Sequence, residues 1–418
     1  VYDILLTSLP DMDKDKPSPG PAYLKGFLES QGKKVKVVDG NQIEDINRLL
    51  LTIDQYDFKW LGISVFSYLQ KDIALEVGSN FKNVVYGGGG VTSSWTEKNF
   101  IQGEGEQALL EFLNGNWDYP GINGSFPVQY NDLNSLPVPD YSDQVSEHKY
   151  KSLIITGSRG CVRNCTFCNV SRQWPMYRFV EGDKLAHNMH ELVKKYNAKH
   201  ISFSDSLVNG SMKHFRMLCK ELSNNPKKVG WDGQFIARSE NQFSQEDFDN
   251  LANSGCRGLT IGIESGSESV RDHMKKKFSN ADIDYFVHNL GRRKIPMRFL
   301  LIVGYPTETR KDFEDTKDLL TRYKDYADIT GIGIDIMRIE EGTPIEDMRH
   351  DLYLGDGHLW YNENSDINLR YEWYVELFDH AVEMGYEFNE YHWGKRDRFA
   401  SYMSNDETTN QKESATLI

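Results

Sequence analysis

The sequence predicts an α/β protein: a doubly wound N-terminal domain, then a partial (β/α)6 barrel, then a short, mainly helical C-terminal region. Three observations carry this expectation. Residues 1–118 alternate short apolar runs with helical patterns, the signature of βαβ units and a mostly parallel sheet. Residues 119–150 collect Pro120, Pro127, Pro137 and Pro139 among Gly, Asn and Asp, the composition of an extended connector. From residue 151 a second alternation begins. A chain of 418 residues suits two domains, and 39% hydrophobic with 26% charged residues suits a soluble globular protein.

In the first domain, strands are expected at Tyr2–Ser8, Lys34–Asp39, Trp60–Val65, Asn83–Tyr86 and Phe100–Gly103. Helices are expected at Ala22–Gln31, Ile43–Ile53, Asp72–Asn80 and Glu106–Asn114. The second alternation, 151–344, places strands at Ser152–Thr156, His200–Ser204, Gly230–Ile236, Gly258–Glu264, Met297–Val303 and Ile329–Met337. Helical patterns lie between them, near 181–197, 211–224, 244–254, 281–293 and 309–325. Six strands with five intervening helices predict an open barrel rather than one closed with eight. In residues 345–418 one amphipathic stretch, Tyr371–Gly385, reads as a helix, and the polar end from Ser404 reads as frayed.

The net charge is −14, with both ends of the chain acidic and the middle mildly basic. An acidic surface disfavours nucleic acid, whose affinity rests on neutralising phosphates. No apolar run approaches the ~18 residues of a membrane span. The N-terminus lacks a basic-then-apolar signal pattern, so the expected compartment is the cytoplasm.

Of five cysteines, Cys161, Cys165 and Cys168 cluster, while Cys219 and Cys256 stand alone. That is a poor disulfide framework and a good metal-site pattern. A structural zinc site is closed by four protein ligands. Here Cys219 is far along the chain, and the nearest upstream histidine, His148, lies across a strand. Three thiolates on a cubane [4Fe–4S] cluster would leave one iron open for a small molecule.

The segment Gly157-Ser-Arg-Gly-Cys161-Val-Arg-Asn-Cys165-Thr-Phe167-Cys168 follows the first strand of the second alternation. Its Cys-x3-Cys-x2-Cys spacing, with an aromatic before the last Cys, resembles the signature of the radical S-adenosylmethionine (SAM) enzymes. The resemblance implies a [4Fe–4S] cluster on the three cysteines and SAM chelated to the open iron. It also implies reductive cleavage of SAM to methionine and a 5′-deoxyadenosyl radical, with an external one-electron reductant of flavodoxin or ferredoxin type. Further segments are similar to the family's strand elements. Ile201-Ser-Phe-Ser-Asp205 is similar to the second, Leu259-Thr-Ile-Gly-Ile-Glu264-Ser265-Gly266 to the fourth, and Phe299-Leu-Leu-Ile-Val-Gly304 to the fifth. By resemblance Phe167, Asp205, Glu264, Ser265, Gly266 and Gly304 would lie at SAM. On its residues alone, Glu264 reads equally as an aid to a helix N-terminus.

The N-terminal half extends the resemblance. Pro21-Ala-Tyr-Leu-Lys-Gly-Phe-Leu, Leu61-Gly-Ile-Ser64, Val85-Tyr-Gly87-Gly88-Gly89 and Gly103-Glu104-Gly-Glu106 look like the Rossmann-like cobalamin-binding domain of one radical SAM subgroup. It implies cobalamin near Ser64, Ser67, Gly87, Gly88, Gly89, Gly103 and Glu104. The glycines suit either close approach to a flat ligand or a plain tight turn. No histidine precedes His148, so the Asp-x-His-x-x-Gly element that ligates cobalt is missing, and any bound cobalamin would lack a histidine ligand from this domain.

Three functions follow from these residues and resemblances. The first is a cobalamin-dependent radical methylase acting on an unactivated atom of a small molecule or peptide. The second is a radical SAM enzyme without methyl transfer, doing rearrangement, cyclisation or carbon–carbon bond formation. The third is a non-catalytic cobalamin or iron–sulfur sensor. Methylthiotransferases carry three further cysteines upstream, and none precedes Cys161. Aromatic residues of the C-terminal part, such as Trp360, Tyr371 and Trp393, read as core more readily than as a pocket lining.

Overall fold

The computed structural model describes residues 1–418 except 11–13, 93, 94, 96, 98, 125–127, 131, 148, 149, 327–330 and 405–418. His148, Pro127, the start of the strand expected from Ile329 and the chain end beyond Ser404 therefore lie outside the described residues. Two compact units are present. One comprises Val1–Arg159 and Arg178–Ser204, the other Gly160–Tyr177 and Asp205–Ile418.

The first unit opens with β1 (Tyr2–Ser8), α1 (Pro19–Ser30), β2 (Val35–Val38), α2 (Ile46–Ile53) and β3 (Phe58–Ser64). It continues with α3 (Lys71–Gly78), β4 (Val84–Gly87), β5 (Phe100–Ile101) and α4 (Gly105–Leu113). The strands pair in parallel in the order β2-β1-β3-β4-β5, a common doubly wound order whose ligand edge is the carboxyl edge. Residues Ile4–Ser8 of β1 are all buried, as a central parallel strand covered on both faces requires. Helix α2 begins where the Asp45 carboxylate accepts from the Arg48 N–H at 2.9 Å. Its Leu49 and Ile53 then join Leu61, Ile63, Val65 and Val77 in the core. Truncating one such residue, Leu61→Ala for instance, costs about 2–5 kcal/mol.

The expected connector is packed structure. Ile122 and Val128 form bridges to Ile101 and Gly103, and the Asp140 N–H donates to the Ala22 carbonyl at 3.0 Å. A helix absent from the sequence reading, α5 (Ser142–Glu147), brings Asp143 to Lys25 and Lys36 at 3.2 and 3.1 Å. Prolines stop this stretch from adding regular strands, but its side chains still anchor it. Next come β6 (Leu153–Ile155) and β7 (Ser158–Arg159). The short helix α6 (Val170–Gln173), in the second unit, precedes β8 (Arg178–Phe179), α7 (Gly182–Tyr196) and β9 (His200–Phe203). β6 pairs with β9 in parallel and β7 with β8 antiparallel. The unit boundary thus differs from the one expected near residue 150, because β6 and β9 group with the first unit.

The second unit continues through α8 (Met212–Asn224), β10 (Gly230–Phe235), α9 (Gln245–Asn253), β11 (Cys256–Glu264) and α10 (Glu268–His273). Then follow α11 (Asn280–Arg292), β12 (Met297–Val303), α12 (Arg310–Tyr323), β13 (Ile332–Ile336), α13 (Ile367–Glu383) and α14 (Glu390–Ser404). Strands β10 to β13 pair in parallel in sequence order. Helices α9, α11 and α12 each start with a reciprocal capping box, Ser244/Asp247, Ser279/Asp282 and Thr309/Asp312. The fold class is the one the sequence predicts, α/β with parallel sheets and a helical C-terminal region. Trp360, Tyr371, Trp373 and Tyr374 are core, whereas Tyr361, Tyr391 and Trp393 are exposed. No described helix is long and apolar enough to cross a membrane.

Candidate functional site

The three clustered cysteines share one loop of the second unit, and all are free thiols. Thr166, between Cys165 and Phe167, fastens that loop at three points. Its N–H donates to the Met274 carbonyl at 3.1 Å and its carbonyl accepts from the Ile345 N–H at 2.7 Å. Its hydroxyl lies 2.9 Å from the Tyr305 hydroxyl, just beyond the end of β12. Phe167 packs on the apolar cluster formed by Met274, Tyr305, Ile345 and Trp360. The flanking cysteines are therefore held by residues that the motif itself does not include. Close to Cys161, the Arg163 N–H reaches its Sγ at 3.4 Å.

Opposite the loop stands Glu264, the last residue of β11. The β11–β12 register slips between Gly262 and Glu264, and Glu264 adopts the left-handed φ of 68°. Such a bulge re-aims a side chain at the cost of about 1–3 kcal/mol of backbone strain. The re-aimed carboxylate meets Lys276 Nζ at 2.8 Å, with both side chains under one tenth exposed. The same ammonium lies 5.8 Å from the ring centres of Phe167 and Phe278. Burial opposes the charge on Lys276, but Glu264 and the thiols of Cys165 and Cys168 outweigh it and raise its pKa.

Burial pushes the Cys165 thiol up to about 11 against the pull of Lys276, and burial likewise raises Cys168. In so dry a pocket these groups ionise readily only when a strong Lewis acid takes them as ligands. Among the described residues, no three His, Cys, Asp or Glu side chains converge as they would around a single metal ion. A cubane spreads its thiolates over three different irons, so this wider donor set, faced by a buried cation, fits a [4Fe–4S] cluster better than a mononuclear ion.

The other residues expected at SAM are distributed unequally. Asp205 lies two residues past the end of the first unit's β9 in sequence and is buried. The Ser265 hydroxyl lies 3.3 Å from Thr316 Oγ1 and accepts from the Ser267 N–H at 3.2 Å. The Gly266 N–H donates to Thr316 Oγ1 at 2.9 Å, and a Cβ at Gly266 would lie 2.2 Å from the Asp315 carbonyl oxygen. These two residues seat the end of β11 against α12, and of the three only Glu264 acts on the thiols. The Gly304 N–H donates to Glu308 Oε2 at 2.5 Å, beside the buried side chain of Arg370.

The first unit's residues behave differently. Ser64 ends β3, and Ser67 follows in a turn whose Leu69 N–H donates to its hydroxyl at 3.3 Å. Gly87 ends β4 and Gly89 lies in the turn after it. A Cβ at Gly88, with φ of 114°, would lie 2.5 Å from the Val65 carbonyl oxygen. One at Gly90 would lie 2.5 Å from the Ser67 backbone. At these two glycines the chain comes close to the backbone of a neighbouring turn, the tight-turn alternative among the two readings. Phe66 and Leu69, in the same turn, are 77% and 61% exposed.

Gly103 bridges to Val128, and Glu104 is engaged internally. Glu104 accepts from Arg159 Nη1 at 2.8 Å, from Arg178 through both oxygens, and from the Tyr130 N–H at 2.6 Å. Glu106 also pairs with Arg159. This buried network occupies the Glu104 carboxylate within the unit. Sequence reasoning missed Thr166, Tyr305, Lys276 and both arginines. A run of three lysines at 275–277 gave no sign of which one turns inward.

Fold and site together describe an α/β protein with three free cysteines on one loop, beside a buried Glu264–Lys276 pair. Residues 155–320 match the profile of the Radical SAM superfamily. An uncharacterized methyltransferase of Pyrococcus horikoshii is 25% identical over 75% of this chain and 75% of its own length. The bacteriochlorophyllide d C-12(1)-methyltransferase of Chlorobaculum tepidum is 27% identical over 45% of this chain and 42% of its own. Among solved structures, the cobalamin-dependent S-adenosylmethionine radical enzyme OxsB superposes with a TM-score of 0.71 at 16% identity. That superposition covers 97% of this chain and 71% of OxsB. The radical S-adenosylmethionine methyltransferase TsrM of Kitasatospora setae gives 0.65 at 18% identity, covering 82% and 74%. At these identities the structural likeness speaks for the fold. The matched segment is a domain of radical SAM enzymes, a superfamily that works with a [4Fe–4S] cluster and SAM.

Proposed function

We propose that the protein is a cobalamin-dependent radical SAM methylase acting on an unactivated atom of a small molecule or peptide. The observation that carries the reading is the loop of three free cysteines fastened through Thr166 and faced by the Glu264–Lys276 pair. Cys161, Cys165 and Cys168 would hold the cluster, which supplies the electron for cleaving SAM. Glu264 and Asp205 would bind SAM's polar groups. Thr166 and Tyr305 keep the loop fixed, and Phe167, Phe278 and Met274 keep water from the site. An external flavodoxin- or ferredoxin-type protein would supply the electron.

For cobalamin, the support is a doubly wound sheet with Phe66 and Leu69 open at its carboxyl edge, apolar surface suited to a flat macrocycle. The relatives named as methyltransferases and the cobalamin-dependent OxsB point the same way. With no histidine before His148, cobalt would lack a histidine ligand from residues 1–147. A second reading, radical SAM chemistry without a methyl carrier, is favoured by the internal engagement of Gly88, Gly90 and Glu104.

Anaerobic reconstitution with iron, sulfide and hydroxocobalamin tests both. The expected result is a bound corrinoid spectrum, a Co(II) resonance without protein-nitrogen splitting, and 5′-deoxyadenosine released from SAM under reduction. SAM cleavage with no corrinoid bound would transfer the assignment to the second reading. A loaded cluster without SAM cleavage would leave only a sensor.

A further inference from the structure

Among the described residues, Lys276 is the buried cation that bears on both Cys165 and Cys168. It is buried, paired at 2.8 Å with a carboxylate on a strained strand end, and flanked by two rings. One of those rings belongs to Phe167, the residue between Thr166 and Cys168. A Cβ at position 262 would lie 2.4 Å from Glu264 Oε1 and 3.1 Å from Lys276 Nζ, so the strand is cleared of side chain where the pair sits. An ion pair excluded from water gains little stability, because desolvating two charges offsets their attraction. The arrangement instead suits a fixed local field, which water and salt screen weakly at such a depth.

We infer that Lys276 and Glu264 form a charge couple that sets the reduction potential of the cluster, with Lys276 as a positioning residue acting through space. The inference rests on the assignment of a [4Fe–4S] cluster to the three cysteines. Reduction adds one negative charge to the centre, so the ammonium favours the reduced state and the carboxylate the oxidised one. Net charge near a cluster is one of the quantities that fix its potential. Removing one partner leaves the other uncompensated, and the two single removals must act with opposite sign.

The test uses full-length protein reconstituted anaerobically, with iron and sulfide counted first. The cluster is then titrated electrochemically without SAM, following the resonance of the reduced form. Lys276→Met is expected to lower the midpoint potential and Glu264→Gln to raise it, with the double variant returning toward wild type. Equal potentials in all four proteins, or shifts of one sign in both single variants, overturn the inference. Should Lys276→Met lose its iron, Lys276→Arg decides. Retained iron and a near-wild-type potential support a role for charge, whereas loss of iron in that variant too overturns it. A wild type that binds no iron fails at the earlier step and removes the cluster assignment itself.

Discussion

The two units each carry a parallel sheet whose carboxyl edge the sequence marks as a ligand edge, and they use it differently. In the first unit the marked residues are satisfied internally. Gly88 and Gly90 let one turn lie on another, and Glu104 is shared by two arginines and a backbone N–H. In the second unit Ser265, Gly266 and Gly304 are likewise engaged internally, but the three cysteines remain chemically open. Three thiols are free and buried or half-buried, and a carboxylate is held in a strained bulge beside them. Ligand edges are thus not equal: one is organised by closed hydrogen-bond accounts, the other by groups that need a further partner.

The sharpest way to break this contrast is at the open edge. Replacing Cys161, Cys165 and Cys168 together with Ala should abolish iron binding and SAM cleavage entirely, read from the iron count and the loss of visible absorption. A triple variant that kept its cluster would remove the distinction. At the closed edge, Glu104→Ala leaves the buried Arg159 and Arg178 short of a carboxylate. It should cost about 3–5 kcal/mol of folding stability, measured by denaturant unfolding of the protein. A negligible cost would mean the network is looser than its geometry.

Glu264→Ala should lower SAM cleavage by about 10–100-fold while iron content stays at the wild-type level, since a residue beside the cluster tunes rather than builds it. Unchanged cleavage would reduce Glu264 to a support for β11.

The smallest expected effect concerns Glu308, buried in the loop after β12. Its Oε2 accepts from the N–H groups of Gly304 and Tyr305, and burial pushes its pKa up to about 8 despite them. The folded state therefore holds this proton more tightly than the unfolded chain. The stability this gives is complete below the ordinary glutamate value and is lost as pH rises through about 8. Glu308→Gln should flatten the melting temperature across that window; an unaltered slope would show that the carboxyl is ionised throughout.

Much of the fold was legible because local patterns and tertiary needs agree. Strands β1 and β12 fall where the apolar runs place them, and the boxes at Ser244, Ser279 and Thr309 start helices where the periodicity begins. Helix α14 was missed because its aromatics do not repeat on one face; Tyr391 and Trp393 are exposed. The 119–150 stretch reads as an extended connector because proline content reports backbone preference, not the anchoring of Asp140 and Asp143.

By itself the sequence determined the α/β class, the order of elements and the thiol triplet, since each depends on residues close together in the chain. Tertiary structure decided which of three successive lysines turns inward. It also decided that Thr166 is tied to Met274, Tyr305 and Ile345, and that Glu104 belongs to arginines. Those choices join residues from 12 to more than a hundred positions apart, and no local periodicity encodes such a partner. They follow only once burial forces every remaining polar group to find one.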